Sequence, residues 1–436
     1  MIPLLRADEM RDADRDAAAK SSVDALVRRA GTAVALEVKR LLGTCYGARV
    51  AVLAGPGLNG ADGRVAAEWL RERGSQVSVV DVRAQPASLS GYDLVVDAAY
   101  ALGCSRDYLA PDVGDCPIVA VDLPSGVEAD SGRLMGAPLR ATVTVALGAL
   151  KYAHVTGPSV SHVGEIRFRG LGIVASSASG LVEDGDLSAV TWPERNDHKW
   201  RHAVAVFAGS PSMPGAASLV AAGAASAGAS MIRLKNRGST RDVVNLAPEV
   251  VRETGELDSR VRAVVAGPGL GAGAPQWLKG QFSTLRSPTV LDADALDRDL
   301  ITELVTRAVT VVVTPHDGEF VRLTGGPLPE NRLEATRALA RELGCVVLLK
   351  GPHTIVAAPG GEVRVVTSGT AALATAGTGD VLAGMIGGLL ARGHDALSAA
   401  GLAAHLHGRA GSQLAPFSGA SALAGAVRDF LAGSRL

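Results

Sequence analysis

The sequence predicts an α/β protein of two domains, each built on a parallel, doubly wound sheet. Three observations carry this. At 436 residues the chain exceeds one ordinary domain. Short runs of Val, Ala, Leu and Ile alternate with longer helical stretches or loops. Those runs repeatedly end in Asp or Gly, and the chain holds 52 glycines. Hydrophobic residues make up 47% and charged residues 20%, enough for a sizeable core and too apolar for global disorder. A net charge of -1 gives no basic footprint for nucleic acid or anionic lipid, and 3% aromatics cannot build a base-stacking surface.

Taken in order, residues 7–20 and 24–42 read as helices. A strand at 49–55 runs into a glycine loop and a helix from about 62 to 73. Strands follow at 77–81, 94–98, 118–122 and 142–147. The stretch ASSASG, 175–180, is a linker by composition, placing a boundary near 175–182. Beyond it come strands at 203–207, 263–266, 289–292, 310–313 and 346–349. Helices are expected at 215–228, 331–343, 380–392, 395–412 and 421–433. The stretch 215–232 is mostly Ala, Gly and Ser. It lacks the roughly 20 strongly apolar residues of a membrane span, so it reads as a buried helix packed through small side chains. Charge arrives too early in MIPLLRADEMRDADRDAAAK for a signal peptide. The scattered Cys45, Cys104, Cys116 and Cys345 fit a reducing cytoplasm.

In the first half, Gly55-Pro56-Gly57-Leu58-Asn59-Gly60 formally satisfies the dinucleotide fingerprint, and Asp81 ends the next strand. Bare N–H groups at a helix start suit a phosphate. Asn59 and Asp62 add polar groups beyond what phosphate needs. Asp97 and Asp122 end two further strands, the latter within Asp122-Leu123-Pro124-Ser125-Gly126. Asn59, Asp97 and Ser125 offer hard oxygen ligands for an alkali or alkaline-earth cation, leaving Asp122 as an acid/base candidate. Each Asp is equally readable as a turn or helix cap.

VLAGPGLNGADG, VVDAAYALG and VAVDLPSGVEADSG, continued by TVTVALGALKYAHVTGPS, resemble the successive motifs of the NAD(P)H-hydrate epimerase domain, a Rossmann-like fold, over roughly residues 7–175. The resemblance implies a potassium ion held by Asn59, Asp97 and Ser125, and catalysis by Asp122. It implies substrate contacts from Leu58, Asn59, Gly60, Ala61 and Asp62. Ala101, Leu102, Gly103, Cys104, Ser105, Arg106 and Asp107 would hold the rest of the hydrate. Leu58, Ala61, Ala101 and Leu102 depart from the family's pattern.

In the second half, Thr375-Ala376-Gly377-Thr378-Gly379-Asp380 opens a helix rich in small residues. Such a start bares N–H donors toward an anion, with the helix dipole adding to the attraction. Asp380 at that mouth can take a proton from an attacking hydroxyl. Its bland reading is a helix cap. Lys350-Gly351-Pro352-His353-Thr354, Thr314-Pro315-His316-Asp317-Gly318-Glu319, Asp292-Ala293-Asp294-Ala295 and Gly267-Pro268-Gly269-Leu270-Gly271 all follow strands, where a parallel sheet places its ligands. Lys350 is one of seven lysines against 36 arginines. His316 reads either as a cap or as a pocket residue.

The order HK, AGS…PGAA, GPGLG, LDADAL, TPHDGEF, LLKGPHT and ATAGTGD is similar to that of the ADP- or ATP-dependent NAD(P)H-hydrate dehydratases, a ribokinase-like family, over about 183–433. The resemblance implies that Ala216, Gly269, His316 and Asp380 contact the hydrated nicotinamide. Lys350, Gly351, Pro352, His353, Thr354 and Gly379 would contact the adenine nucleotide. Trp200 replaces the family's usual Gly, for which a packing change is expected. The full expectation is a Rossmann-like three-layer domain at 1–178 and a ribokinase-like domain at 183–436. The chain would repair hydrated NADH and NADPH using ADP or ATP, Mg2+ and K+, with no membrane or nucleic-acid partner, as a homo-oligomer. The alternative is a ribokinase-type small-molecule kinase fused to a non-catalytic binding domain.

Overall fold

The structure, a computed structural model, describes residues 1–102, 107–190, 194–238, 243–415 and 417–433. The chain divides into two compact units, residues 2–179 and 180–436, with Met1 counted with the second. None of the described helices is long and apolar enough to cross a membrane.

The first unit holds a six-stranded sheet in the order Glu165–Arg169, Val143–Leu147, Ile118–Val121, Leu94–Ala98, Arg49–Ala54, Gln76–Asp81. All its pairings are parallel. The four middle strands are buried almost throughout, which is why they read as continuous apolar runs. Helices Val23–Leu42 and Leu58–Arg71 pack one face around Val34, Val38, Val52 and Ala66. The opposite face, around Leu53, Val95 and Ala120, is covered by the short 3₁₀ turn Val82–Ala84 and loop segments rather than by long helices among the described residues. From Arg49–Ala54 the chain pairs first on one side with Gln76–Asp81 and then on the other with Leu94–Ala98. Their carboxyl ends therefore flank a topological switch point, the usual place for a ligand crevice. The third helix starts at Leu58, not near 62, so Leu58, Asn59 and Gly60 form its first turn.

In the second unit the order is Val251–Arg252, Met231–Lys235, Ala203–Phe207, Ala263–Ala266, Thr289–Leu291, Val311–Val313, Val346–Leu349, Thr354–Ala357, Val363–Val366, Gly180–Leu181. The sheet is parallel up to Val346–Leu349. Thr354–Ala357 and Val363–Val366 then pair antiparallel, which corrects the all-parallel expectation. Their cause is local: two apolar runs flank a Pro-Gly-Gly turn at 359–361. Met231–Lys235 also escaped the sequence reading, although it alternates buried and half-buried residues. The switch point lies between Ala203–Phe207 and Ala263–Ala266, where Gly209 N–H donates to Pro268 O at 2.9 Å.

Helix Pro214–Ser226 crosses helix Thr378–Ala391, buried from Val381 onward, backbone to backbone. A Cβ on Gly223 would lie 2.1 Å from Val381 O, and one on Gly384 would lie 2.1 Å from Val220 O. Small residues here set the helix separation. Gly384→Ala is expected to force the helices apart and cost about 1–3 kcal/mol; a thermal unfolding midpoint equal to the parent's would contradict the close crossing. These small-residue faces are used within the unit. Trp200 is covered by Arg260, whose guanidinium carbon lies 3.6 Å from the ring centroid. The large ring is thus accommodated by a cation–π stack.

Candidate active sites

In the first unit, a cavity of about 470 Å³ opens at the switch point. Pro56, Gly57, Leu58, Asn59 and Asp62 line it from the glycine loop and helix start, Tyr100, Ala101 and Leu102 from the neighbouring strand end, and Asp122 and Lys151 from its floor. Of the sequence-predicted residues, Gly60, Ala61 and Asp107 do not line it, while Gly103, Cys104, Ser105 and Arg106 lie outside the described residues. Asp81 is drawn away from any ribose-binding role. Its carboxylate grips the Arg83 guanidinium at 2.6 Å and the Arg83 N–H at 2.9 Å, holding its pKa down at about 2.

Asp122 is built into a buried network. Its backbone is left-handed, φ 63°, a strained state for a residue with a side chain. Asp122 N–H donates to Val145 O at 2.9 Å, and His154 Nε2 lies 2.6 Å from the Asp122 carbonyl. Lys151 N–H donates to His154 Nδ1 at 2.9 Å, so the ring hydrogen sits on Nε2 and donates to that carbonyl. Burial, reinforced by the Lys151 charge, pushes the imidazole pKa down to about 4, keeping it neutral. The carboxylate Oδ1 accepts from Lys151 Nζ at 2.5 Å and from Leu147 N–H at 3.1 Å. Lys151 Nζ also donates to Leu147 O at 2.8 Å and Ala149 O at 3.0 Å. Its three hydrogens thus have three acceptors. Lys151, His154 and Asp14 went unread in the sequence, because their relation to Asp122 exists only through the sheet and the first helix.

Asp97 and Ser125 meet beside this cavity. Ser125 Oγ donates to Asp97 Oδ1 at 2.6 Å and Ser125 N–H to Oδ2 at 2.8 Å. Asp97 is fully buried, and burial raises its pKa, with hydrogen bonds but no cation opposing. Asn59 Nδ2 is buried without a hydrogen-bond partner among the described residues. A buried carboxylate without a counter-charge fits a bound monovalent cation, whereas the orphaned Asn59 N–H donor calls for an acceptor on a ligand.

In the second unit, Gly377, φ 89°, caps helix Thr378–Ala391. A Cβ there would meet Leu219 Cδ1 at 2.4 Å, so only glycine fits. Beside this mouth a cavity of about 590 Å³ is lined by Lys350, Gly351, Pro352, Thr354, Thr370, Thr378, Gly379 and His407, among others. Of the predicted nucleotide contacts, only His353 does not line it. His407 was missed; it comes from the middle of helix Ala396–Gly411, where only tertiary packing brings its Nε2 to 2.9 Å from Thr378 O. Burial pushes its pKa down to about 4, so it is neutral.

Asp380, in the first turn, faces a charged cluster. Lys350 Nζ bonds Asp292 Oδ1 at 2.8 Å and lies 3.6 Å from Glu319 Oε2. Burial alone would depress the Lys350 ammonium, but Asp292 and Glu319 outweigh it and hold it above its ordinary value. Burial raises the Asp380 pKa to about 7; Asp292 adds to the rise and Lys350 opposes it. Among the described residues no three acidic, His or Cys side chains converge to hold a metal by themselves. Mg2+ takes one or two carboxylates and fills its remaining positions with nucleotide phosphates and water, and Asp380, within electrostatic reach of Asp292 and Asp294, offers such carboxylates.

Gly269 and Ala216 come together at the other switch point: a Cβ on Gly269, φ 66°, would lie 2.7 Å from Ala216 Cβ. The adjoining Gly271 N–H donates to Asp294 Oδ2 at 2.8 Å. His316 is a cap: its Nδ1 accepts from Gly318 N–H at 3.0 Å and Glu319 N–H at 3.3 Å. The ring is 59% exposed, and its Nε2 lies 3.6 Å from Glu319 Oε2.

Residues 204–431 match the family described as NAD(P)H-hydrate dehydratase. Residues 23–103 and 83–153 match the family described as YjeF-related protein N-terminus. The chain is 34% identical over 427 residues to the bifunctional NAD(P)H-hydrate repair enzyme Nnr of Mycobacterium tuberculosis, covering 88% of each. It is 31% identical over 510 residues to the protein of that name from Moorella thermoacetica, covering 98% of this chain and 96% of that one. The Bacillus subtilis ADP/ATP-dependent NAD(P)H-hydrate dehydratase, co-crystallised with ATP/Mg2+, aligns with a TM-score of 0.50 at 29% identity, covering 58% of this chain and 97% of that chain. A two-unit chain, similar to such proteins over nearly its whole length, belongs to the family of bifunctional NAD(P)H-hydrate repair enzymes.

Proposed function

We propose that the first unit interconverts the R and S hydrates of NADH and NADPH, and that the second dehydrates the S form at the expense of ADP or ATP. The products are NAD(P)H, phosphate and AMP or ADP. The observation that carries this is Asp380 at the glycine-opened helix mouth, in the same charged cluster as Lys350.

The C6 hydroxyl of the hydrate attacks the terminal phosphate of the nucleotide. Asp380 takes the hydroxyl proton, and the N–H groups of the helix start and the Lys350 ammonium face the developing phosphate charge. The ring nitrogen's lone pair then expels phosphate, and loss of a proton from C5 restores the dihydronicotinamide. Ala216, Gly269 and His316 position the nicotinamide, while Gly351, Pro352, Thr354 and Gly379 position the adenine nucleotide. Asp292 orients Lys350. Mg2+, held through the nucleotide's oxygens, would neutralise phosphate charge. In the first unit, Asn59, Asp97 and Ser125 would hold K+, and Asp122 would exchange protons with the bound hydrate, with the cavity residues Leu58, Asp62, Ala101 and Leu102 around it.

The test is to incubate mixed hydrate epimers with the protein and ADP or ATP in turn. Complete recovery of the reduced-nicotinamide absorbance is expected. A stable phosphorylated product without recovery supports the kinase alternative. Recovery that stalls at the S fraction shows a first unit without epimerase activity.

A further inference from the structure

The epimerase cavity gathers Asp14, Asp62, Asp122, Lys151 and Arg11. These charges are unequally matched. Asp122 has the Lys151 ammonium, and that ammonium is saturated by Asp122 and two backbone carbonyls. Arg11 donates to Leu102 O at 3.0 Å. Asp62, on helix Leu58–Arg71, is 7% exposed and has neither a hydrogen-bond nor an ion-pair partner among the described residues. Asp14, on the first helix, is less buried and feels the Lys151 charge. One cavity thus holds a carboxylate tied to a cation and a second, buried carboxyl with no partner.

We propose that Asp62 is the proton donor of the epimerase half, working with ionised Asp122 as the base; this rests on the reading of that half as an epimerase. An isolated buried carboxyl is costly to ionise and keeps its proton. Burial pushes Asp62 up to about 8, with Asp122 and Asp14 adding to the shift. Two carboxyls whose environments separate their protonation states make an acid/base pair. Asp62 gives its proton to the C6 hydroxyl oxygen of the hydrate. The C6–O bond breaks and water leaves, while the ring nitrogen's lone pair forms a double bond to C6. A second water adds to C6 from the opposite face, the electron pair returns to nitrogen, and Asp122 takes the proton released. One water leaves and one enters. The proton gained by Asp122 returns to Asp62 through solvent.

The test is Asp62→Asn in the full chain, which keeps size and polarity but cannot supply a proton. The kcat for epimer interconversion is expected to fall about 100-fold or more, with KM within about threefold. In the parent, kcat/KM falls on the alkaline side near pH 8, where Asp62 loses its proton; the variant loses that limb. An infrared difference spectrum, parent minus variant at neutral pH, gives a second readout: it carries the C=O band of the one protonated carboxyl that Asp62 contributes. A calorimetric unfolding midpoint of the first unit equal to the parent's verifies that the unit carrying the substitution is folded. An unchanged kcat, a raised KM with kcat kept, or a difference spectrum without that band overturns the Asp62 assignment alone. A parent that does not equilibrate the epimers overturns the reading of the whole half instead.

Discussion

Asp380→Asn is expected to lower nucleotide-dependent dehydration by about 10²–10⁴-fold, the usual worth of a positioned base, while epimer interconversion continues in the other unit. The sign of the pH dependence follows from the same residue. A base must be ionised, and burial holds the free carboxyl up at about 7. The parent's kcat/KM should therefore rise through about pH 7 and level off above it, and the variant should lose that limb. Stability should move the other way. An unfolded Asp ionises near its ordinary value, whereas folded Asp380 resists until about 7. The folded state is thus progressively disfavoured as pH rises between those two values. Asp380→Asn removes that cost, so its unfolding midpoint at pH 8 should equal or exceed the parent's. If both activities fell together, the assignment of Asp380 to one unit would fail.

Lys151→Met should damage the first unit most. The ammonium is 1% exposed and serves Asp122, Leu147 O and Ala149 O. Removing one partner of a buried pair leaves the other charge uncompensated, at about 3–5 kcal/mol. The substitution also strands the two carbonyls and frees Asp122 from its fixed position. We expect epimerisation to be lost and the unfolding midpoint of the first unit to drop, with dehydration of S hydrate retained. Calorimetry with separate assays of the two activities checks this. A variant with the parent's midpoint and epimerisation rate would show that the network does not hold Asp122.

Much of the site was legible as local punctuation. Asp97, Asp122 and Lys350 close or follow apolar runs, which a parallel sheet collects along one edge, and Asn59 and Asp380 sit in the first turns of glycine-opened helices. Asp81, which also ends a strand, is held instead by a local ion pair with Arg83. The sequence could not show the antiparallel pair Thr354–Ala357 and Val363–Val366 as part of the sheet, since strand direction depends on the partner.

The sequence alone determined the two α/β units, the glycine-opened helix mouth and the acids at the strand ends, because these follow from apolar periodicity and from the residue types that turns and helix starts require. Only the tertiary structure decided which acids carry charge. Asp62 stands without a partner, Asp122 is locked to Lys151, and Asp380 lies among Asp292, Glu319 and Lys350. The proton affinity of a carboxyl depends on desolvation and on charges within a few ångströms, and residues far apart in the chain supply both.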